Sequence, residues 1–207
     1  MYAKVLLTSS SKPETRWVSL GDFFLCAFTN MKDAKPTLLI HISNITFTEA
    51  FDEIGQLHSI RVNISGPCSF NHLFIYTPNQ FDIADLKKEL EEERKKWNNF
   101  YQKENPDTSK KYTLDQTGKF IFRPVDRIYF EVVDKQIKIS QMNQEEIYIN
   151  INKDFYIHPI NDSSKDVQWI EIKYKNNSEE ITKQYHCSSY DEMKQLVNVA
   201  LQIKYQS

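Results

Sequence analysis

His186 and Cys187 are adjacent in this 207-residue sequence, and both types can ligate a metal or take part in nucleophilic catalysis. They fall in a predicted strand, EITKQYHC, where neighbouring side chains point to opposite faces, and no CxxC or HxxxH spacing accompanies them. The three cysteines, Cys26, Cys68 and Cys187, are widely spaced and odd in number, which indicates reduced thiols. With only 4 glycines and no recognisable nucleophile and base, the sequence predicts no metal site, no catalytic residue and no cofactor.

The charges of the chain are balanced, with 26 basic and 28 acidic residues. Such a chain has no overall field that would concentrate nucleic acid or an anionic membrane around it, so any anion site must be local. No apolar run approaches the roughly 20 residues of a membrane span, and the first residues do not resemble a signal peptide. We therefore expect a soluble intracellular protein that has no transmembrane segment and binds no nucleic acid.

The first half of the chain predicts short antiparallel strands followed by one helix. A period-two pattern dominates this half in short runs rich in aromatic and β-branched residues, which are KVLLT, RWVSL, DFFLCAF, TLLIHISNITF, HSIRVNI and HLFIYT. From Asp82, the predicted N-cap, the apolar positions take helical spacing over residues 82–101. Within this helix the charged run KKELEEERKK (residues 87–96) is either a partner-binding face or a solvated surface, and its Glu-to-Lys and Glu-to-Arg spacings favour the solvated surface.

The second half repeats this order. We predict strands in KFIF, RIYFEVV, QIKIS, EIYINI, DFYIHPI, VQWIEIKYK and EITKQYHC, and then a terminal helix in which Ser189 and Glu192 form a capping box. Between the halves lies the polar stretch QKENPDTSKKYTLDQTG. The predicted organisation is a first domain of residues 1–104, a linker of residues 105–117 and a second domain of residues 118–207.

The first half resembles a pleckstrin homology domain. RWVSL followed by DFFLCAF is similar to the second and third strands of that family, and EEERKKWNNF, with Trp97, is similar to its C-terminal helix. The second half is similar in layout, with RIYFEVVDKQIKIS in the hairpin position, but its last helix has no Trp. The resemblance implies a mainly β chain with two helices, in which each domain is a seven-stranded antiparallel curled sheet or barrel capped by its C-terminal helix.

The resemblance also implies one ligand, a phosphoinositide bound by basic residues near the loop between the first two strands. Arg16 matches the Arg that opens the family's second strand, but Glu14 stands where a basic residue is expected. We expect Arg16 to be a solvated residue at the strand edge, paired weakly with Glu14. The candidate anion-binding residues are, in the first half, Lys4, Lys12 and Arg16, and in the second half, Lys119, Arg123 and Arg127.

Two functions are compatible with these features of the sequence. The first is a non-enzymatic interaction or scaffold module that docks protein partners within a larger assembly through strand edges, loops and helix faces. The second is an adaptor recruited to membranes by phosphoinositides, and the acidic Glu14 favours the first. Residues 148–166 are rich in Asn, Lys, Ile and Tyr, which is typical of AT-rich coding. For such a source we expect a cytoplasmic protein associated with the cytoskeleton or a cilium, or peripheral at membranes.

Overall fold

The computed structural model describes residues 1–7, 12–49, 58–65, 71–103, 105–116, 127–161 and 168–207. In these residues the chain forms two antiparallel sheets of seven strands and two α-helices. The predicted fold class, mainly β with one helix after each curled sheet, is confirmed. Two compact units divide the chain, one of Met1–Asn98 with Asn161–Ser164 and one of Asn99–Ile160 with Lys165–Ser207.

In the first sheet all neighbouring strands are antiparallel, and strands that follow one another in sequence are neighbours at every step except one. Its strands are β1 (Tyr2–Leu7), β2 (Glu14–Gly21), β3 (Phe24–Phe28), β4 (Leu38–His41), β5 (Ile45–Glu49), β6 (Ser59–Ile64) and β7 (His72–Tyr76). They lie in the order β4-β3-β2-β1-β7-β6-β5, so β4 and β5 are the edges of the sheet. A 3₁₀ turn over Ile42–Asn44 divides the apolar run TLLIHISNITF into these two edge strands.

Helix α1 (Gln80–Lys103) follows the first sheet. Its buried positions include Ile83, Leu86, Leu90 and Trp97, the apolar stripe that helical spacing predicts. The prediction that Asp82 is the N-cap is wrong. The Asn79 side-chain oxygen accepts from the Phe81 N–H, and Asp82 is the third helical residue, because Asn79 is the short polar residue that precedes the first turn.

The second sheet has the same strand order as the first. Its strands are β8 (Lys111–Asp115), β9 (Ile128–Val133), β10 (Gln136–Gln141), β11 (Ile147–Asn150), β12 (Tyr156–Pro159), β13 (Trp169–Asn176) and β14 (Glu179–Cys187). They lie in the order β11-β10-β9-β8-β14-β13-β12. Strand β8 lies in the stretch predicted as a linker, because Tyr112 and Leu114 alternate with polar residues and are buried. The strand predicted at KFIF (residues 119–122) lies outside the described residues.

Helix α2 (Tyr190–Gln206) follows the second sheet and begins at the predicted N-cap, Ser189. The Ser189 hydroxyl accepts from the Glu192 N–H at 3.1 Å, and the Glu192 carboxylate accepts from the Ser188 hydroxyl. The five consecutive residues from Val199 to Ile203 are all buried. Since five residues exceed one helical turn, α2 is covered on every side there.

A buried carboxylate joins α1 to the turn between β2 and β3. Asp22 and Phe23 have positive φ angles of 51° and 69°, which hairpin turns usually assign to Gly, Asn or Asp. The Phe23 N–H donates to Glu93 Oε1 at 3.0 Å, and the Phe23 ring packs edge to face on Trp97. Glu93 is only 7% exposed, although it belongs to the charged run that we expected to be a solvated surface. That expectation is wrong for this residue.

Replacing Glu93 with Ala should leave the Phe23 N–H without its acceptor in a partly buried turn. We expect the free energy of unfolding to fall by about 1–3 kcal/mol, measured by urea denaturation. Glu92→Ala is the matched control because Glu92 is exposed in the same run, and we expect it to stay within about 0.5 kcal/mol of the wild type. Equal losses in the two variants would contradict this role for Glu93.

Candidate functional site

Arg16 lies on the inner, apolar face of the first sheet. In the β1–β2 ladder Arg16 pairs with Ala3 and Glu14 pairs with Val5, and directly opposed residues share a face. Ala3, Val5 and Val18, two residues beyond Arg16 in β2, are 3%, 6% and 2% exposed. The side chain of Arg16 is itself only 23% exposed. Arg16 is therefore less exposed than expected, because strand register turns it to the same side as Val18.

The guanidinium of Arg16 is held by its own strand. Arg16 Nη2 forms an ion pair with the Glu14 carboxylate, and Nη1 donates to the Thr15 carbonyl at 3.0 Å. The predicted pairing with Glu14 is confirmed. Because the Glu14 side chain is 60% exposed, the pair stabilises the fold by less than about 1 kcal/mol. It nevertheless places a carboxylate where an anionic ligand of Arg16 would bind.

Arg16 lies at the end of the first sheet that is remote from the Glu93 contact. Neighbouring strands are antiparallel, so β1 and β3 end, and β2 and β4 begin, at the same end. The connection from β3 to β4 at this end carries Lys32 and Lys35, both exposed. These two lysines are absent from the residues predicted above. Their position at the same end of the sheet as Arg16 follows from the directions of the strands, which the sequence pattern does not give.

The other predicted anion-binding residues are spread over the chain. Lys4 lies in β1, opposite Thr15, and Lys12 is exposed two residues before β2. In the second half Arg127 is half-buried immediately before β9, while Lys119 and Arg123 lie outside the described residues. Anion binding by Lys4, Lys12 and Arg16 in the first half, and by Lys119, Arg123 and Arg127 in the second half, remains a prediction.

The outer face of the second sheet carries a ladder of charges across β8, β9 and β10 and the residue that precedes β11. Lys111 Nζ lies 3.2 Å from Glu131 Oε1, and Lys138 Nζ lies 3.9 Å from Glu131 Oε2 and 2.7 Å from Glu146 Oε1. The hydrogen bond with Glu146 raises the pKa of Lys138, and the same bond lowers the pKa of Glu146. These charges are already paired within the sheet.

A second polar group on the same sheet is largely removed from water. His158 and Glu171 are cross-strand partners, with 3.7 Å between Nε2 and Oε1, and their side chains are 12% and 15% exposed. Burial lowers the pKa of His158 despite the opposing effect of Glu171. Burial alone would raise the pKa of Glu171, but the hydrogen bond from Gln184 and the charges of His158 and Lys173 lower it overall.

The part of the chain that the structure describes contains no candidate site for metal binding or for a reactive thiol. No group of three or more His, Cys, Asp or Glu side chains there is placed to hold a metal ion. Cys187 is 1% exposed and points away from His186, which contacts Trp169 and Asp115 on the other face. Burial raises the pKa of the Cys187 thiol, which is the opposite of what a nucleophile needs.

Two seven-stranded antiparallel sheets, each followed by a helix, thus define a mainly β chain whose layout fits a pair of pleckstrin homology-like units. Among the helices described, none is both long and apolar enough to span a membrane. No known family matches the sequence, and no curated protein does. Among solved structures, the chain is similar to the solution structure of the pleckstrin homology domain of human KIAA0053 protein, with 13% identity, 45% of this chain and 84% of that chain covered, and a TM-score of 0.39.

The buried thiols allow a direct test of the packing. We expect Cys26 and Cys187, 6% and 1% exposed, to resist alkylation by iodoacetamide in the native protein and to react fully in denaturant. Site-resolved mass spectrometry measures both sites in one digest. Labelling of native Cys187 as fast as in the denatured chain would contradict its burial.

The environment of His158 predicts a dependence of stability on pH. Because the pKa of His158 is lower in the folded protein than its ordinary value near 6.5, the unfolded chain binds the proton more readily. The free energy of unfolding should therefore fall as pH drops below about 6.5, by at most about 1.4 kcal/mol per pH unit.

Urea denaturation between pH 5 and 7.5 measures this dependence, and His158→Gln should reduce its slope. The matched control is His72→Gln in β7, which leaves His158 in place and should retain the slope that His158 contributes. An unchanged slope in His158→Gln would show that other groups cause the dependence.

Proposed function

We propose that the chain is a non-enzymatic interaction module that docks protein partners within a larger intracellular assembly. The observation that carries this proposal is the ion pair of Arg16 with Glu14. An inositol phosphate needs charge-assisted donors that are free to meet it, and a carboxylate on the guanidinium repels it. A protein surface has no such requirement, since strand edges and apolar side chains supply the contacts.

The second candidate is phosphoinositide binding, and the placement of Arg16 supports it. The guanidinium lies at the end of the sheet that also carries the exposed Lys32 and Lys35. Lys4, Lys12, Lys119, Arg123 and Arg127 are the further basic residues proposed for such binding. In this alternative the multiply charged headgroup would have to displace Glu14 from Arg16.

Co-sedimentation with liposomes that contain or lack phosphoinositides separates the two functions. The salt concentration is about 0.15 M, because at this ionic strength nonspecific surface attraction is screened beyond about 8 Å. We expect the wild type to show no phosphoinositide-selective binding. The variants Arg16→Ala and the triple alanine variant of Lys119, Arg123 and Arg127 should then behave like the wild type.

Glu14→Gln sharpens the test because it removes the competing charge and keeps a side chain of the same size. We expect this variant to gain measurable headgroup binding, which a further Arg16→Ala substitution should abolish. Glu145→Gln, an exposed carboxylate in the second unit, is the control for the change in net charge. Selective binding by the wild type that is lost in Arg16→Ala would overturn the protein-docking proposal.

A further inference from the structure

Three edge strands of the two sheets, β4, β12 and β11, differ in how much apolar surface they expose. In β4 the residues Leu38–Ile40 are buried, and β12 ends in Pro159, which has no N–H to offer another strand. Strand β11 is different because the consecutive residues Ile147 and Tyr148 are 48% and 50% exposed. They lie on opposite faces, so both sides of this edge are apolar.

The backbone N–H and C=O groups of successive β11 residues point alternately towards β10 and away from it. The Ile151 N–H donates to the Lys135 carbonyl at 2.9 Å, just beyond the strand, and the β10–β11 ladder continues in the same register. In an antiparallel ladder, every second residue directs both its N–H and its C=O to the neighbouring strand. Tyr148 and Asn150 therefore direct theirs away from β10, where the sheet order has no further strand among the described residues.

The segment EEIYINI (residues 145–151) carries few of the features that protect natural edge strands. It has no Lys and no Pro, and its ladder with β10 runs without a bulge. Of its two carboxylates, Glu145 is exposed and precedes the strand, and Glu146 is neutralised because Lys138 Nζ and the Tyr148 hydroxyl both bond it, at 2.7 Å and 2.8 Å. The edge is thus suited to pairing with another strand.

We propose that β11 pairs in antiparallel fashion with β11 of a second copy of this chain, about a two-fold axis at Tyr148. This register uses the outward backbone groups of Tyr148 and Asn150, and it places Tyr148 opposite the same residue of the second copy. Glu146 then meets Asn150, and Ile147 meets Ile149. No like charges face each other, and the two half-exposed side chains gain an aromatic and an aliphatic partner.

The four-residue length of β11 limits the strength of this dimer. A single added strand buries less than the about 1,200 Å² that stable complexes need, so the association is weak and concentration-dependent. Self-association goes beyond the proposed docking of other proteins. It is measured by mass in solution and not by lipid binding, so either proposal can fail while the other stands.

Sedimentation equilibrium of the full chain, from about 5 to 500 μM, measures the association through its mass-action dependence on concentration. We expect the average mass of the wild type to rise from that of the monomer towards that of the dimer. A monomer at every concentration would overturn the proposal and would leave the β11 edge to a different partner.

Variants at the two-fold axis test the register. Tyr148→Lys and Tyr148→Glu each place two like charges opposite one another, so we expect each variant alone to be monomeric. Mixing them in equal amounts pairs Lys with Glu and should restore the dimer. Because Tyr148 is half-exposed, both variants should fold, which circular dichroism and thermal unfolding verify.

Met31→Lys is the matched control, since it makes the same change of charge at a 60% exposed apolar residue between β3 and β4. We expect it to dimerise like the wild type. Dimerisation of Tyr148→Lys alone, loss of dimer in Met31→Lys, or failure of the mixture to restore it would each overturn pairing through β11.

Discussion

Each sheet of this protein has to cover an apolar inner face with the one helix that follows it, and most of the observed architecture follows from this requirement. In the first unit the stripe from Ile83 to Trp97 on α1 provides the cover, and Glu93 attaches the helix to the β2–β3 turn. The turn needs that support because Phe23 holds a backbone conformation that is costly for a bulky side chain. Helix α1 therefore stabilises the β2–β3 hairpin as well as the core.

The same inner face explains the situation of Arg16. A strand that must present Val18 to the core also turns Arg16 inward, because side chains two residues apart share a face. Near the end of the sheet an inward guanidinium can reach either a ligand or a carboxylate of its own strand. In this chain it reaches Glu14, and the resulting pair satisfies Arg16 without any partner from outside.

Local features were predictable from the sequence because they depend on neighbouring residues. The period-two pattern identified most of the strands, Ser189 identified the start of α2, and helical spacing identified the buried stripe of α1. Strand β8 was missed because KYTLD is short and its flanks are polar. The burial of Glu93 and the inward face of Arg16 were missed for a different reason, since both depend on contacts or register with distant parts of the chain.

The complete burial of one turn of α2 bears on how this sequence can change during evolution. A helix with a solvent side tolerates many polar substitutions there, but the stretch from Val199 to Ile203 offers no such side. Even Gln202 is fully enclosed, so an isosteric change at that position alters a buried polar group. In related sequences this turn should therefore diverge more slowly than the solvent-facing residues of α1.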